Sequence, residues 1–437
     1  MAVSGWFVAL LLAGSAAVVV LGGWPGLAIW LAVVVGVAGI DLVVAGSPRK
    51  LTFTRELAAR VRLGESVPAV LHVTNGGRRT VRGVLRDAWQ PSAGARPARR
   101  TVRVPAGERR SFTTTLTPTR RGERRSAHVT VRSFGPLRIA ARQATIVVPG
   151  AVRVLPPFHS RRHLPSRLAR LRELDGRTSV MVRGQGTEFD SLREYVRGDD
   201  VRSLDWRASA RRRDPATGDM QLVVRTWRPE RDRRVVLVID SGRTSAARIG
   251  DEPRIDTAFE ASLLLAALAS HAGDRVDLLI WDRRVRGRVQ GATGADLLSR
   301  MVDTMAPVEP ELIEPDWSLV PGLVRQVTAQ RALVVLLTSI DTPGASRSML
   351  AMLPELTRRH TVVVASAADP DVLDATRQRA DRDEVYLAAA AERALLDATR
   401  VAAAIRQSGA EVVSAAPTEL PPALADRYLA LKATGRL

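Results

Sequence analysis

The apolar positions of this chain follow three patterns in succession. From Trp6 to Leu21 every residue is apolar or small. Gly22-Gly23-Trp24-Pro25-Gly26 closes that run, and a second apolar run extends to about Ala45. Each is close to the roughly 20 residues with which a helix crosses a hydrocarbon core of about 30 Å. The Gly/Pro cluster between them is turn chemistry, and Trp24 suits a membrane interface. Residues 1–47 are therefore expected to form a transmembrane helical hairpin. Two buried core helices are another reading of the pattern. A cleaved signal peptide is a third, but it would carry a basic n-region, which residues 2–5 lack. Asp41, near the end of the second run, is expected at the interface and not as an intramembrane functional acid.

From about residue 50 the period changes to two. Residues 66–74 alternate through Val67, Ala69, Leu71 and Val73 and end at Asn75-Gly76-Gly77, a hairpin-type turn; Val81, Gly83 and Leu85 continue the alternation. Residues 101–108 and 111–116 read as another strand pair, and Val129, Val131, Ile146 and Val148 as parts of later strands. Short strands with turns at about every 8–12 residues predict an all-β, immunoglobulin-like sandwich over 48–155.

Beyond residue 235 apolar strands alternate with helices. Val235-Val236-Leu237-Val238-Ile239 is a continuous apolar run, as a strand buried on both faces requires. Further strands are expected at 275–281, 332–337, 361–365 and 411–414. Helices are expected at 258–272, 295–305, 318–329, 346–359, 384–407 and 421–433. This alternation predicts an α/β doubly wound parallel sheet over 235–437. Ligands of such sheets bind at the carboxyl ends of the strands, which directs attention to the residues after Ile239 and after Leu337. The chain is thus multidomain, with 156–234 as a separate connecting segment.

Charge sharpens the division. The formal net charge is +20 over 437 residues. Residues 48–150 hold 22 basic and 5 acidic side chains, 151–234 hold 20 and 12, and 235–437 hold 23 and 27. The basic excess therefore lies next to the apolar hairpin, and an anionic membrane surface accounts for that gradient more simply than a nucleic acid. Arg49, Lys50, Arg55, Arg60 and Arg62 follow the second span while the connector between the spans is uncharged, so the positive-inside bias places the body of the protein in the cytoplasm, on a multi-pass inner-membrane protein.

Composition also excludes chemistry. Only two of the 65 basic residues are lysines, Lys50 and Lys432, and neither stands in a phosphate-binding loop or a kinase-like strand. There is no cysteine, so disulfides, thiolate nucleophiles and cysteine-ligated metals are ruled out. The six histidines form no metalloprotease pattern, and no Gly-x-Ser-x-Gly elbow is present.

One segment carries a dense motif. It runs Gly186-Thr187-Glu188-Phe189-Asp190-Ser191-Leu192-Arg193-Glu194-Tyr195-Val196-Arg197-Gly198-Asp199-Asp200 and continues through Asp205-Trp206-Arg207-Ala208-Ser209-Ala210-Arg211. Here the chain resembles the membrane-anchored family known as domain of unknown function 58, whose members join this pattern to a von Willebrand factor A-like domain. Physically, Phe189, Arg193, Tyr195, Gly198, Asp199, Asp200, Asp205, Trp206 and Arg211 could form a docking surface or an active site with paired acids. The alternative is an internal clamp, with Gly198 in a tight turn, Asp199 and Asp200 capping or pairing with arginines, and Trp206 anchored on the sheet. The clamp is the expected arrangement.

The resemblance implies an adhesion-type metal site opening with Asp-x-Ser-x-Ser after the first strand of the α/β domain. Here that stretch is Asp240-Ser241-Gly242-Arg243-Thr244. Asp240 and Thr244 fit the pattern, Gly242 lacks the hydroxyl, Asp341 stands about two positions late, and Thr293 is the candidate for the third loop. Mg²⁺, a hard ion that dehydrates reluctantly, is therefore expected to bind weakly or not at all, and no cofactor is expected. The chain is therefore expected to be a non-enzymatic, membrane-anchored adaptor for protein clients, with Ser241, Arg243, Ser339 and Asp341, at the strand carboxyl ends, as its partner-binding residues; the resemblance adds the partner it implies, a MoxR-type AAA+ ATPase. A hydrolase using the acids of 188–205, and a nucleic-acid binder using the basic unit, are the rival readings; the scarcity of aromatics in that unit argues against stacking on single strands.

Overall fold

A computed structural model describes residues 2–21, 23–181, 188–196, 201–211, 221–228 and 233–437. Two compact units are present, Met1–Pro157 and Phe158–Leu437. The boundary falls two residues beyond the one expected at 155, and the connecting segment belongs to the second unit.

The first unit begins with strand β1 (Ala2–Val3), helix α1 (Gly5–Leu21) and helix α2 (Trp24–Val44). α2 is long and apolar enough to cross a membrane, and the residues that make it so are mostly exposed. α1 has 17 residues, a rise of about 25 Å. The two helices lie against each other: Trp30 Nε1 donates to Leu10 O at 3.1 Å, and a Cβ on Gly14 would meet the Trp30 ring at 2.1 Å. Small residues at such crossings let backbones approach.

The expectation for Asp41 needs correction. It is 1% exposed and accepts the backbone N–H groups of Leu137 (2.8 Å), Ile139 (2.9 Å) and Ala140 (3.0 Å). It is a buried anchor joining α2 to a sheet, not a residue facing the interface. The lack of a counter-charge in the sequence gives no hint of this, because its partners are main-chain donors.

The sheets comprise β2 (Leu51–Leu57), β3 (Arg60–Arg62), β4 (Val67–Asn75), β5 (Val81–Trp89), β6 (Arg99–Val104), β7 (Arg109–Leu116), β8 (Gly122–Phe134) and β9 (Ala140–Leu155). One sheet has the order β1-β9-β8-β5-β6, with β3 also pairing β9; the other is β2-β4-β7. Leu51, Leu71 and Val73 from the small sheet share a core with Val81, Leu85, Val102, Val129 and Val131 from the large one. The strands lie where the period-two pattern put them, but their partners differ. β4 and β5 are not a hairpin, and neither are β6 and β7: each pair divides between the two sheets. The reason is Asn75. Its buried side chain donates to Arg79 O and Val104 O, both at 2.9 Å, and accepts from Gly77 N, so the Asn-Gly-Gly turn carries the chain across the core.

The second unit contains α3 (Leu164–Met181), the antiparallel ribbon β10 (Glu188–Glu194) and β11 (Val223–Arg228), and between them α4 (Trp206–Ser209). Its main sheet is built from β12 (Arg234–Asp240), β15 (Arg275–Trp281), β16 (Val285–Val289), β17 (Leu333–Leu337), β18 (Thr361–Ala367) and β19 (Glu411–Ala415), with a short pair, β13 (Arg248–Ile249) and β14 (Glu252–Pro253), between β12 and β15 in the chain. The order is β16-β15-β12-β17-β18-β19, parallel except for the edge strand β16. Helices α5 (Arg254–His271), α6 (Gly294–Met305), α7 (Val320–Val327), α8 (Arg347–Thr357), α9 (Pro370–Ala375), α10 (Arg382–Gln407) and α11 (Leu420–Ala433) complete it. Val236, Val238, Val334 and Leu336 pack against α7, α8 and α10 residues such as Val324, Leu353 and Ile405. α5 and α11 contact the sheet as well as each other. Burial on both faces is why β12 reads as an uninterrupted apolar run. The strand order reverses between β12 and β17, so the crevice rule points to the carboxyl ends of those two strands.

Candidate functional site at the strand ends and in the signature segment

Asp240 ends β12 at that crevice and is 1% exposed. Its Oδ1 accepts Gly242 N at 2.7 Å; its Oδ2 accepts the Thr338 hydroxyl at 2.7 Å and the Thr244 hydroxyl at 3.5 Å. Burial pushes its pKa up, against those three hydrogen bonds, and the nearby Asp282 carboxylate adds to the rise. The carboxylate thus ties the end of β12 to its own turn and to the end of β17.

The neighbours are equally engaged. Ser241 is buried and donates to Trp281 O (3.0 Å) and Asp282 Oδ2 (3.2 Å). Arg243 pairs with Glu314, its Nε lying 3.0 Å from the carboxylate. Ser339 donates to Asp341 at 2.8 Å, and Asp341 pairs with Arg254 at 3.1 Å. Sequence reasoning had no sight of Asp282, Arg254 or Glu314, whose partners are 41, 87 and 71 positions away along the chain.

The segment Glu311–Asp316 explains the missing hydroxyl. Glu311 N donates to Ser241 O and Arg243 N donates to Ile313 O, both at 2.9 Å. A Cβ on Gly242 would lie 2.9 Å from Ile313 O and from Pro315 Cδ. Glycine is therefore required by close approach of that segment, and a serine would push it away. The space beside Asp240, Thr244, Thr338 and Asp341 is about 20 Å³, near the volume of a single water. Among the described residues no group of three or more His, Asp or Glu could hold a metal ion. Thr293 precedes α6 and does not line this space. The donor set does not fit a hydrated Mg²⁺.

The signature segment divides. Asp205 caps α4, accepting Arg207 N (3.0 Å) and Ala208 N (2.9 Å), and pairs with Arg225 at 2.8 Å. The backbone bond from Ala208 and the Arg225 guanidinium hold its carboxyl below the usual carboxylate range. Ser209 completes a clamp, donating to Asp205 O at 2.8 Å and accepting Val223 N at 2.9 Å. Tyr195 N bonds Leu222 O, and Arg193 donates to Glu194 O. Trp206 does not anchor the segment, contrary to expectation: it is 60% exposed, because the cap directs Asp205 toward the ribbon and leaves the next side chain outside. Val196 and Val201 are exposed as well, and so is Arg211. Phe189 stands opposite Trp227 in the ribbon register; its side chain, with Gly198, Asp199 and Asp200, lies outside the described residues.

The chain is 27% identical over 192 residues to an uncharacterized protein of Mycobacterium bovis, and equally to uncharacterized proteins from two Mycobacterium tuberculosis strains. The match covers 44% of this chain and 57% of each relative. Among solved structures, a CARDB domain from Pyrococcus furiosus aligns at 22% identity with 24% of this chain and 91% of that one, with a TM-score of 0.18. A β-glucosidase from Listeria innocua aligns at 20% identity with 24% of this chain and 16% of that one, TM-score 0.17. Residues 191–404, which span most of the ribbon, the clamp and most of the α/β sheet, match the family described as "Protein of unknown function DUF58": the chain carries a DUF58 family domain.

Proposed function

We propose that this protein is a non-enzymatic, membrane-anchored adaptor that binds other proteins through its α/β unit. The observation that carries the reading is the filled crevice: at the place where doubly wound sheets bind substrates, Asp240, Ser241 and Thr338 spend their hydrogen bonds on each other and on the chain, around a space of about 20 Å³. Of the acids of 188–205 that the rival hydrolase would use, Asp205 has both oxygens committed, one to the α4 cap and one to Arg225.

In this reading α1 and α2 form a two-span hairpin, the two-sheet unit is an immunoglobulin-like β-sandwich set against anionic lipid, and the body of the protein is cytoplasmic. The α/β unit is of the von Willebrand factor A-like type, a reading supported by its strand order with one antiparallel edge. Its partner is a MoxR-type AAA+ ATPase, acting in complex assembly or envelope stress, as the resemblance of the signature segment implies. A mild-detergent pull-down of the intact protein tests this: the ATPase should co-purify, and recovery without it, or turnover of a substrate panel by the purified protein, overturns the reading. A reporter fused after Leu437 should be shielded from external protease in intact cells; cleavage there reverses the topology.

A further inference from the structure

Away from the crevice, a groove of about 290 Å³ lies between α7 and the edge strand β16. Val285, Leu319 and Leu323 give it an apolar surface, and Val285 and Leu319 are 40% and 41% exposed. Two lining residues, Arg284 and Arg325, are cationic and none is acidic. Each guanidinium pairs with one carboxylate, Arg284 with Glu311 at 3.3 Å and Arg325 with Glu355, while remaining 71% and 54% exposed. A guanidinium has five N–H donors in a planar fork, so both keep donors for a further carboxylate.

Trp281 supplies the second observation. It lines the groove at the end of β15, is fully buried, and is held edge-to-face against Trp317 at 5.0 Å. Its indole Nε1 is a buried donor that meets no acceptor among the described residues. Buried donors are nearly always paired, and an exception calls for a reason. The indole is closed to solvent in this structure, so an acceptor reaches it only as an incoming segment parts Trp281 from its neighbours. Among the described residues β16 also ends the sheet, pairing with β15, and such an edge can take an added extended strand. Basic side chains are a common guard on sheet edges. That would account for Arg286 and Arg288, but not for the unpaired indole or the apolar surface beside it.

We propose that the α7–β16 groove binds an extended acidic segment of a partner protein. Apolar side chains of that segment rest on Leu319 and Leu323, its carboxylates engage Arg284 and Arg325, and one of its oxygens accepts from the Trp281 indole. The assignment rests on the protein-binding reading and gives it a location and a partner chemistry.

The test pans a random peptide library against the full chain in detergent micelles. Gly322→Trp fills the groove in the control; at Gly322 a Cβ would meet nothing closer than Arg325 Nη2 at 3.8 Å. Enriched peptides should mix Asp or Glu with apolar residues. The best of them, synthesised, should lose at least tenfold in affinity for Arg284→Glu/Arg325→Glu and for Gly322→Trp. Titration should move the indole ¹H–¹⁵N resonance that disappears in Trp281→Phe. Basic or neutral consensus peptides, binders indifferent to Gly322→Trp, or no groove-dependent binder would overturn the proposal. Co-purification of the ATPase with the same variants is read separately. If it survives in all of them while no groove-dependent peptide is found, only the groove is wrong. If wild type fails to co-purify although acidic peptides fill the groove, only the assigned partner is wrong.

Discussion

Replacing Asp41 by alanine isolates what joins the apolar helices to the sheets. Its carboxylate accepts three main-chain N–H groups, at 2.8, 2.9 and 3.0 Å, from a loop about 100 residues further along. The Ile139 and Ala140 donors are in buried bonds, whereas the Leu137 bond is partly buried. A buried donor left unpaired costs about 1–3 kcal/mol. Two fully stranded donors and one that water can reach give roughly 3–6 kcal/mol, taking the three as not strictly additive. Bonds from Ser4 N to Ile139 O and from Arg142 to Leu42 O remain, so the helices stay attached but loosely. Hydrogen exchange on the protein in lipid nanodiscs is the assay, because it reports local opening without requiring reversible unfolding. At about 1.4 kcal/mol per factor of ten, protection of the Ile139 and Ala140 amides should fall by roughly 10²–10⁴. Asp41→Asn should fall between, since one amide oxygen replaces two carboxylate oxygens. Gly135→Ala should act in the same direction, because its Cβ would lie 2.1 Å from Asp41 Oδ1. If the Ile139 and Ala140 amides exchange at wild-type rates in Asp41→Ala, the anchor lies elsewhere and the reasoning fails.

Three further outcomes are expected. Asp87 in the two-sheet unit accepts both Arg55 nitrogens at 2.7 and 2.8 Å, the Trp89 indole at 2.8 Å and the Ser126 hydroxyl at 3.0 Å; Asp87→Ala strands a buried guanidinium and should cost about 3–5 kcal/mol in denaturant melts, and a loss below about 1 kcal/mol would contradict this account. Asp240 has a raised folded pKa, so its contribution to stability is fully present below its unfolded value and is lost as pH rises through the folded one. Melting temperatures of wild type should therefore fall from about pH 4 upward relative to Asp240→Asn, and parallel profiles would refute the raised value. Calorimetry should detect no stoichiometric Mg²⁺ binding; a tight site that vanishes in Asp240→Ala would show that the segment Glu311–Asp316 opens.

The sequence by itself determined most elements of the α/β sheet, though not the edge strand β16 or helix α9. Strands β12, β15, β17, β18 and β19 and helices α5–α8, α10 and α11 stand where the apolar patterns place them, mostly within a few residues. A strand buried on both faces must be apolar throughout, and a strand or helix with one buried face must repeat every two or every 3.6 residues. The pattern also led to Asp240, Ser241, Arg243, Ser339 and Asp341, because strand ends are fixed once strands are. The tertiary structure decided the pairings. That the Asn75 turn crosses between sheets, that Asp41 is an anchor, that Trp206 faces outward, and that the segment Glu311–Asp316 occupies the crevice all depend on main-chain donors, or on side chains tens of residues away. Periodicity records how much of each residue is hidden. It does not record what hides it, and a hydrogen bond to a distant main-chain amide leaves no mark on the composition of either segment.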